Sequence, residues 1–385
     1  MEKTFHQENR RELYLSLAPG SLLLLFSGHA PRKTGDEDYP FFADRTFVYY
    51  TGIEQADSVL AAYKDESGVQ ETLYMLPPDL LAERWTGKRL TPQEASDASG
   101  VEDFRYNAQF LPALERLIAR GVTTVCLDFD RKNLDEQPVR QAFQLAAWLK
   151  KNYPFVKVEN IHKLAARQRT IKKPCELEAM RRAEIITSEG IKAMMRAARD
   201  GIYEYQLKAE FDYALAQHGV LSPGFPSIVS AGKNNFFIHY YGYRGVARDG
   251  DMVLNDVGAC WDNEINDVSR GWPLNGKFNE RQKLLYTCAY NTSNYMFQTL
   301  KPGLPMASVD QEIRKYNFEQ LKAIGVCDRF EDVGTYIWHG GAHHVGYDVH
   351  DEVDVEEGRR LLEPGMVFCV DVGIYHEEWG IGFRL

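Results

Sequence analysis

Two of the most apolar runs in the sequence each carry an aspartate. Asp256 interrupts Met252-Val253-Leu254-Asn255-Asp256-Val257-Gly258, and Asp371 interrupts Met366-Val367-Phe368-Cys369-Val370-Asp371-Val372-Gly373. Both runs read as strands, because they are short, rich in apolar and β-branched residues and closed by glycine. A carboxylate inside such a strand is costly unless it is protonated, paired with a cation or bound to a metal ion. Any fold open to this chain must therefore bring compensating groups to both positions.

A third aspartate belongs to the same problem. Asp267 lies eleven residues after Asp256, in Ile265-Asn266-Asp267-Val268-Ser269-Arg270, and Asp262-Asn263 suit a tight turn between the two strands. A hairpin closed over that two-residue turn sets Asp267 opposite Gly258, with Asp256 on the same face one diagonal step away. Taken alone, the hairpin favours a plainer reading, a strand-edge aspartate plus a surface pair of Asp267 with Arg270.

The histidines change that balance. The chain has ten, and four fall in His339-Gly340-Gly341-Ala342-His343-His344-Val345-Gly346-Tyr347-Asp348-Val349-His350. Imidazoles among small residues suit metal ligands or proton carriers, because the backbone can approach closely; His344 is read as an ordinary polar loop residue. His239 stands in Phe237-Ile238-His239-Tyr240-Tyr241, read as an aromatic strand, where alone it would be a satisfied core histidine. Three strand aspartates and a histidine cluster fit a divalent metal site, for which Mn²⁺, Co²⁺, Fe²⁺ and Zn²⁺ are all chemically admissible. The six cysteines are isolated, with no C-x-x-C pair, so each reads as a small buried hydrophobe and no thiolate zinc site is indicated. The residue types point to a two-metal hydrolase, whose ions lie roughly 3.5–4 Å apart and activate a shared water.

Composition removes the competing classes. With 385 residues, 44% hydrophobic and 26% charged, the chain is globular and large enough for two cores, which excludes disordered and fibrous proteins. A formal net charge of −10 repels phosphate backbones, so no nucleic-acid partner is expected. The apolar burst from Ser21 to Phe26 is far short of the ~18 residues of a membrane span, and no small-residue cleavage site follows it. No membrane association and no signal peptide are expected. Isolated thiols suit a reducing, cytoplasmic setting.

Along the chain, strands are predicted at Ser21–Phe26, Thr46–Tyr50, Val59–Tyr63, Thr72–Leu76 and Thr123–Asp128, with helices over Gln109–Arg120 and 137–150. This alternation predicts an α/β first domain. The basic run Arg167–Lys173 ahead of Pro174 marks a boundary, giving domains 1–168 and 169–385. Beyond it, helices are predicted over Glu176–Ala198, Tyr203–His218, Glu280–Leu300 and Ser308–Ile324. Strands are predicted at Asp251–Gly258, Glu264–Arg270, Met366–Ile374 and Ile381–Leu385. Helices segregated from hairpins make this second domain α+β.

The order of motifs resembles the pita-bread (creatinase-like) metallopeptidases, and within them the aminopeptidase P, or Xaa-Pro aminopeptidase, family. Gly35-Asp36-Glu37-Asp38-Tyr39-Pro40-Phe41 through Tyr49-Tyr50-Thr51-Gly52, and Ala82-Glu83-Arg84-Trp85-Thr86-Gly87-Lys88-Arg89-Leu90, are similar to that family's N-terminal domain. Ile171-Lys172-Lys173-Pro174-Cys175-Glu176-Leu177-Glu178-Ala179-Met180-Arg181 resembles the helix that leads into its catalytic domain. The resemblance implies an α/β N-terminal domain followed by a pita-bread catalytic domain. It further implies a bridging hydroxide, held by two divalent ions (Mn²⁺ foremost), that cleaves the N-terminal Xaa-Pro bond of a peptide.

By the same resemblance Asp256, Asp267, His343 and Asp371 are the metal ligands, and Asp371 also moves the proton. His239 and His350 act on the substrate carbonyl and in proton movement. His339 lines the proline side, and Arg384 contacts the site near the metals and is grouped with the substrate-binding residues. A homodimer or larger homo-oligomer is the expected assembly. Two departures stand out. Where the family has Glu-Pro-Gly this chain has Asp371-Val372-Gly373, one methylene shorter, and the sequence stops at Leu385, ahead of the family's final bridging glutamate. The pattern therefore predicts a chain truncated at its C-terminal end. The neighbouring alternatives are a prolidase restricted to Xaa-Pro dipeptides and a metal-free member acting as a non-peptidase hydrolase or binding module.

Overall fold

The computed structural model describes residues 1–131, 133, 135–136, 140–351 and 360–385. It divides into two compact units, Met1–Gln168 and Arg169–Leu385.

The first unit is built on one mixed sheet. Its strands are β1 (Ser21–Phe26), β2 (Val59–Asp65), β3 (Gly68–Met75), β4 (Phe104–Tyr106), β5 (Thr124–Leu127) and β6 (Lys157–Asn160), in the order β4-β3-β2-β1-β5-β6. β1 pairs antiparallel with β2 and parallel with β5, so it is central and covered on both faces. That is why it reads as an unbroken run of leucines rather than an alternation, with Leu22, Leu23, Leu24 and Leu25 all buried. The helices are α1 (Lys3–Leu15), α2 (Arg45–Thr51), α3 (Leu80–Thr86), α4 (Pro92–Ser99), α5 (Phe110–Ala119), α6 (Gln141–Asn152) and α7 (His162–Thr170). α5 and α6 lay Ala113, Leu114, Ile118, Leu145 and Leu149 against Leu22, Leu24, Val125 and Leu127. The expected strand over Thr46–Tyr50 is instead helix α2. Asp44 caps it by accepting a hydrogen bond from the Phe47 amide at 3.0 Å, and every residue from Thr46 to Thr51 is buried. Capping and burial all round outweigh the strand preference of its aromatic and β-branched residues. Of the predicted helix over 137–150, residues 137–139 lie outside the described residues.

The second unit begins with the long α8 (Pro174–Ala197) and α9 (Glu204–Gln217), which pack with β7 (Ile228–Ala231) and β8 (Met252–Val257) around Ile186, Met194, Leu207 and Phe211. β7, β8 and β11 (Val268–Pro273) form an antiparallel sheet in the order β11-β8-β7. The hairpin tip is β9 (Cys260–Trp261) and β10 (Glu264–Ile265), closed by Asp262 and Asn263 at φ of 53° and 72°. Two consecutive positive-φ residues make this the tight turn whose twist matches the strands. Glu264 faces Trp261 and Val268 faces Val257, one register that continues through the Asn266–Ala259 hydrogen bond and sets Asp267 across from Gly258. A Cβ on Gly258 would lie 1.5 Å from the Asn266 carbonyl oxygen, so only glycine fits there.

α10 (Glu280–Thr299) and α11 (Val309–Ala323) pack over a second core that includes Leu285, Ile313, Leu321, Ile374 and Phe383. β12 (Ala342–His344) pairs with β13 (Phe368–Val370), and β14 (Gly373–His376) with β15 (Ile381–Arg384), both antiparallel. Two strands predicted as continuous are broken. Glu264–Arg270 divides at Asn266-Asp267, and Met366–Ile374 divides at Asp371-Val372. A break frees each carboxylate from the strict alternation of a ladder and re-aims it. His239 is not on a strand but in a turn after a 3₁₀ segment over Gly232–Phe236, and it is exposed. His344, expected as a loop residue, lies in β12 and is buried; burial pushes its imidazole down to about 4.

Candidate metal centre

Strands and strand breaks of the second unit bring the three aspartates together. Asp256 comes from β8, Asp267 from the break before β11, and Asp371 from the break between β13 and β14. Arg384, at the end of β15, is 3% exposed and reaches two of them. Its Nη2 lies 3.1 Å from Asp256 Oδ2, its Nη1 lies 4.0 Å from Asp371 Oδ2, and Nη2 also donates to the Ile238 carbonyl at 3.3 Å. One arginine thus fixes one oxygen of each carboxylate and anchors the turn that carries His239. The other oxygens, Oδ1 of Asp256 and Oδ1 of Asp371, are buried without a hydrogen-bond partner.

On the opposite side, His343 Nε2 is 3.3 Å from Asp267 Oδ2, while its Nδ1 is 3.0 Å from the His344 carbonyl. That second contact fixes the ring so that Nε2 faces the carboxylates. Burial raises the Asp267 carboxyl to about 7, with His343 opposing the rise and Asp256 adding to it. Burial also acts on His343, tending to lower it, but the contacts with Asp267 and the His344 carbonyl win and its net direction is up. Asp371 is raised by burial against the pull of Arg384 and His339. The two carboxylate shifts share burial as their first cause, with Asp256 adding to each.

The remaining predicted residues lie around this cluster. His350 is exposed, with its ring centroid 4.2 Å from that of His343. His339 Nδ1 is 3.6 Å from Asp371 Oδ2, and its Nε2 is 3.1 Å from the Tyr375 hydroxyl. Tyr375 is itself stacked on Trp338 at 4.5 Å, giving that wall an aromatic surface. Gly373 makes the approach possible, since a Cβ there would sit 2.3 Å from His339 Nε2. His239 faces the exposed side and stacks loosely with Tyr241 at 6.3 Å. The geometry therefore brings Asp256, Asp267, Asp371, His343 and Arg384 into one cluster, with His339 and His350 beside it and His239 on the adjoining turn.

Two residues were missed by sequence reasoning. Cys369 donates weakly to the Asp267 carbonyl at 3.7 Å and belongs with Asp267 and His343 to a group whose donor atoms lie within 4.8 Å of one another. Its signal was present, two residues before Asp371 in the same run, but an isolated cysteine was read as a hydrophobe. Tyr375 had no signal beyond its place in an apolar strand. The set of carboxylate, imidazole and thiol donors, with two buried carboxylate oxygens unpartnered, fits a divalent cation.

Comparison with known proteins agrees with this geometry. The profile of metallopeptidase family M24 matches residues 178–385, and that of the aminopeptidase P N-terminal domain matches residues 6–126. The Xaa-Pro aminopeptidase of Escherichia coli K12 is 28% identical over 98% of this chain and 90% of that protein; the Haemophilus influenzae Xaa-Pro aminopeptidase is 28% identical over 100% and 91%. Among solved structures, a Bacillus anthracis chain provisionally assigned as an aminopeptidase P superposes with a TM-score of 0.96 at 31% identity, covering 100% of this chain and 91% of that one. Escherichia coli aminopeptidase P with the inhibitor Pro-Leu gives 0.90 at 26% identity, covering 100% and 92%. With the M24 match spanning the unit that holds the aspartate cluster, this chain belongs to metallopeptidase family M24, its pita-bread unit preceded by an aminopeptidase P N-terminal domain.

Proposed function

We propose that the chain is a metal-dependent Xaa-Pro aminopeptidase, removing the first residue of peptides whose second residue is proline. The observation that carries this reading is the enclosure of Asp256, Asp267 and Asp371 around one arginine and one histidine, in a chain similar along its length to Xaa-Pro aminopeptidases. Asp256, Asp267, His343 and Asp371 would hold two divalent ions. When bound, such ions polarise the scissile carbonyl and lower the pKa of water so that it attacks at neutral pH.

The protein's own groups divide the remaining work. Asp371, with Oδ2 between Arg384 and His339, is placed to take a proton from water and return it to the proline nitrogen as the bond breaks. His239 and His350, both exposed, would donate to the oxygen that gains charge at the scissile carbonyl. His339 and Trp338 would line the side that meets the pyrrolidine ring, with the buried Tyr375 backing both. Arg384 keeps Asp256 and Asp371 in place and, through Ile238, the His239 turn. The reading extends to a cytoplasmic enzyme acting as a homodimer or larger assembly, with Mn²⁺ the first metal to supply. In the structure, no helix among the described residues is long and apolar enough to cross a membrane.

The test is chelation of the full-length protein, reloading with Mn²⁺, Co²⁺ or Zn²⁺, and an assay of three substrates: an Xaa-Pro-Xaa tripeptide, an Xaa-Pro dipeptide and an Xaa-Ala-Xaa tripeptide. Metal-dependent cleavage of the first is expected, with the alanine peptide inert. Cleavage of the dipeptide alone would make the protein a prolidase. No metal uptake and no cleavage of any of them would leave a metal-free member of the family.

A further inference from the structure

We infer that Cys369 is a ligand of the metal centre through its Sγ, so that this site holds at least one ion with mixed oxygen, nitrogen and sulfur donors and binds Zn²⁺, Co²⁺ or Cd²⁺ more tightly, relative to Mn²⁺, than its oxygen and nitrogen donors alone would. The inference rests on the metallopeptidase reading of the same site and adds a donor to it.

Two observations carry it. First, β12 and β13 pair antiparallel with His343 directly opposite Cys369. Directly opposed residues project from the same face of a ladder with their Cβ atoms about 5 Å apart, and His343 already points at Asp267. Second, three donor atoms converge. Sγ, a His343 ring nitrogen and an Asp267 carboxylate oxygen lie within 4.8 Å of one another, the only such group of His, Cys, Asp and Glu donors among the described residues.

The thiol has little else to do there. Among the described residues its hydrogen bond is a long contact of 3.7 Å to the Asp267 carbonyl. Ligation to a divalent ion would displace the thiol proton. The S–H bond breaks heterolytically, the sulfur–metal bond forms and the proton leaves to solvent, with no change in oxidation state. Sulfur is a softer donor than oxygen, so the added ligand favours zinc, cobalt or cadmium over manganese.

The test uses the full chain, stripped by chelator and reloaded with up to two equivalents of metal. Zinc-loaded protein examined by X-ray absorption is expected to show a sulfur shell at about 2.3 Å beside oxygen and nitrogen at about 2.0–2.2 Å. Cobalt-loaded protein is expected to show a thiolate-to-metal charge-transfer band in the near ultraviolet. Cys369→Ser abolishes that band, while Cys175→Ser, at an exposed position, keeps it. The Cd²⁺-over-Mn²⁺ affinity ratio falls by on the order of tenfold or more in Cys369→Ser. Because the zinc measurement needs no variant, it stands even where Cys369→Ser fails to fold. Two equivalents of bound metal with only oxygen and nitrogen neighbours overturn the cysteine ligand and leave the peptidase reading intact. A cobalt band that persists in Cys369→Ser also overturns it. No metal uptake at all overturns both.

Discussion

Arg10 and Arg384 are both buried guanidinium groups, 1% and 3% exposed, yet they are satisfied in opposite ways. Arg10, in the first unit, meets one carboxylate in a bidentate pair, Nε to Glu71 Oε1 at 3.0 Å and Nη2 to Oε2 at 3.1 Å. Its Nη1 donates to the Tyr50 and Ser99 carbonyls at 2.7 and 3.0 Å. One positive charge is matched by one negative charge, and the pair ties α1 to β3, α2 and α4. Arg384 instead touches two carboxylates, takes one oxygen from each, and has a third acid, Asp267, in the same enclosure. A matched pair is a clamp. An unmatched set of acids is a demand for a cation, and the two orphaned oxygens show where that demand lies.

The sharpest way to break this contrast is to remove one acid from the unmatched set. Asp267→Asn is expected to reduce metal-dependent hydrolysis to background, because the neutral amide cannot replace a carboxylate ligand shared with His343. The same change should stabilise the metal-free protein at pH 7, by on the order of 1 kcal/mol and not below about pH 4, since burial and its neighbours raise the folded Asp267 carboxyl to about 7 and its ionisation above pH 4 works against the fold. Kinetics with thermal melts of the metal-stripped protein check both. A metal-free variant less stable than the unaltered chain would mean that the aspartates are matched after all.

The matched pair should respond in the reverse sense. Glu71→Ala leaves Arg10 buried with two carbonyls and no counter-charge, and is expected to cost about 3 kcal/mol. Glu71 keeps 24% of its side chain exposed, which holds the figure at the low end of the range for broken buried pairs. Urea unfolding of the full chain should move to lower denaturant, while KM and kcat on an Xaa-Pro peptide stay unchanged. A kinetic effect without a stability effect would remove Arg10 from the role of clamp.

The sequence was most legible where burial forces a pattern. The leucines of β1, the Asp262-Asn263 turn and the register that faces Asp267 with Gly258 all follow from alternation and turn chemistry. The unmatched aspartates were visible for the same reason, since a charge in an apolar run has few explanations. Helix α2 was illegible because its strand-like residues are overruled by the Asp44 cap and by enclosure on all sides. The breaks at Asp267 and Asp371 were hidden too, because pattern alone does not distinguish a strand that continues from one that bends to aim a side chain. Cys369 went unread for a related reason: its meaning depends on His343, its partner across the ladder and 26 residues away in sequence.

Asp44 offers the smallest and most local test, because it is an acid of the first unit that is short of positive charge without belonging to a metal site. Burial raises it to about 6, Asp128 adds to the rise, and the Phe47 amide and Arg140 oppose it. A folded value above the unfolded one means that the native state binds the proton more tightly. The stability Asp44 contributes is therefore fully present below about pH 4 and is lost as pH rises through about 6. Asp44→Asn retains a cap for the Phe47 amide but has nothing to titrate. Hydrogen exchange of the α2 amides, corrected for intrinsic rate, should show protection in the unaltered chain falling by on the order of 1–2 kcal/mol between pH 4 and pH 7, relative to Asp44→Asn. Equal slopes in the two proteins would show that Arg140 already neutralises Asp44, and would return it to the class of matched charges that Arg10 represents.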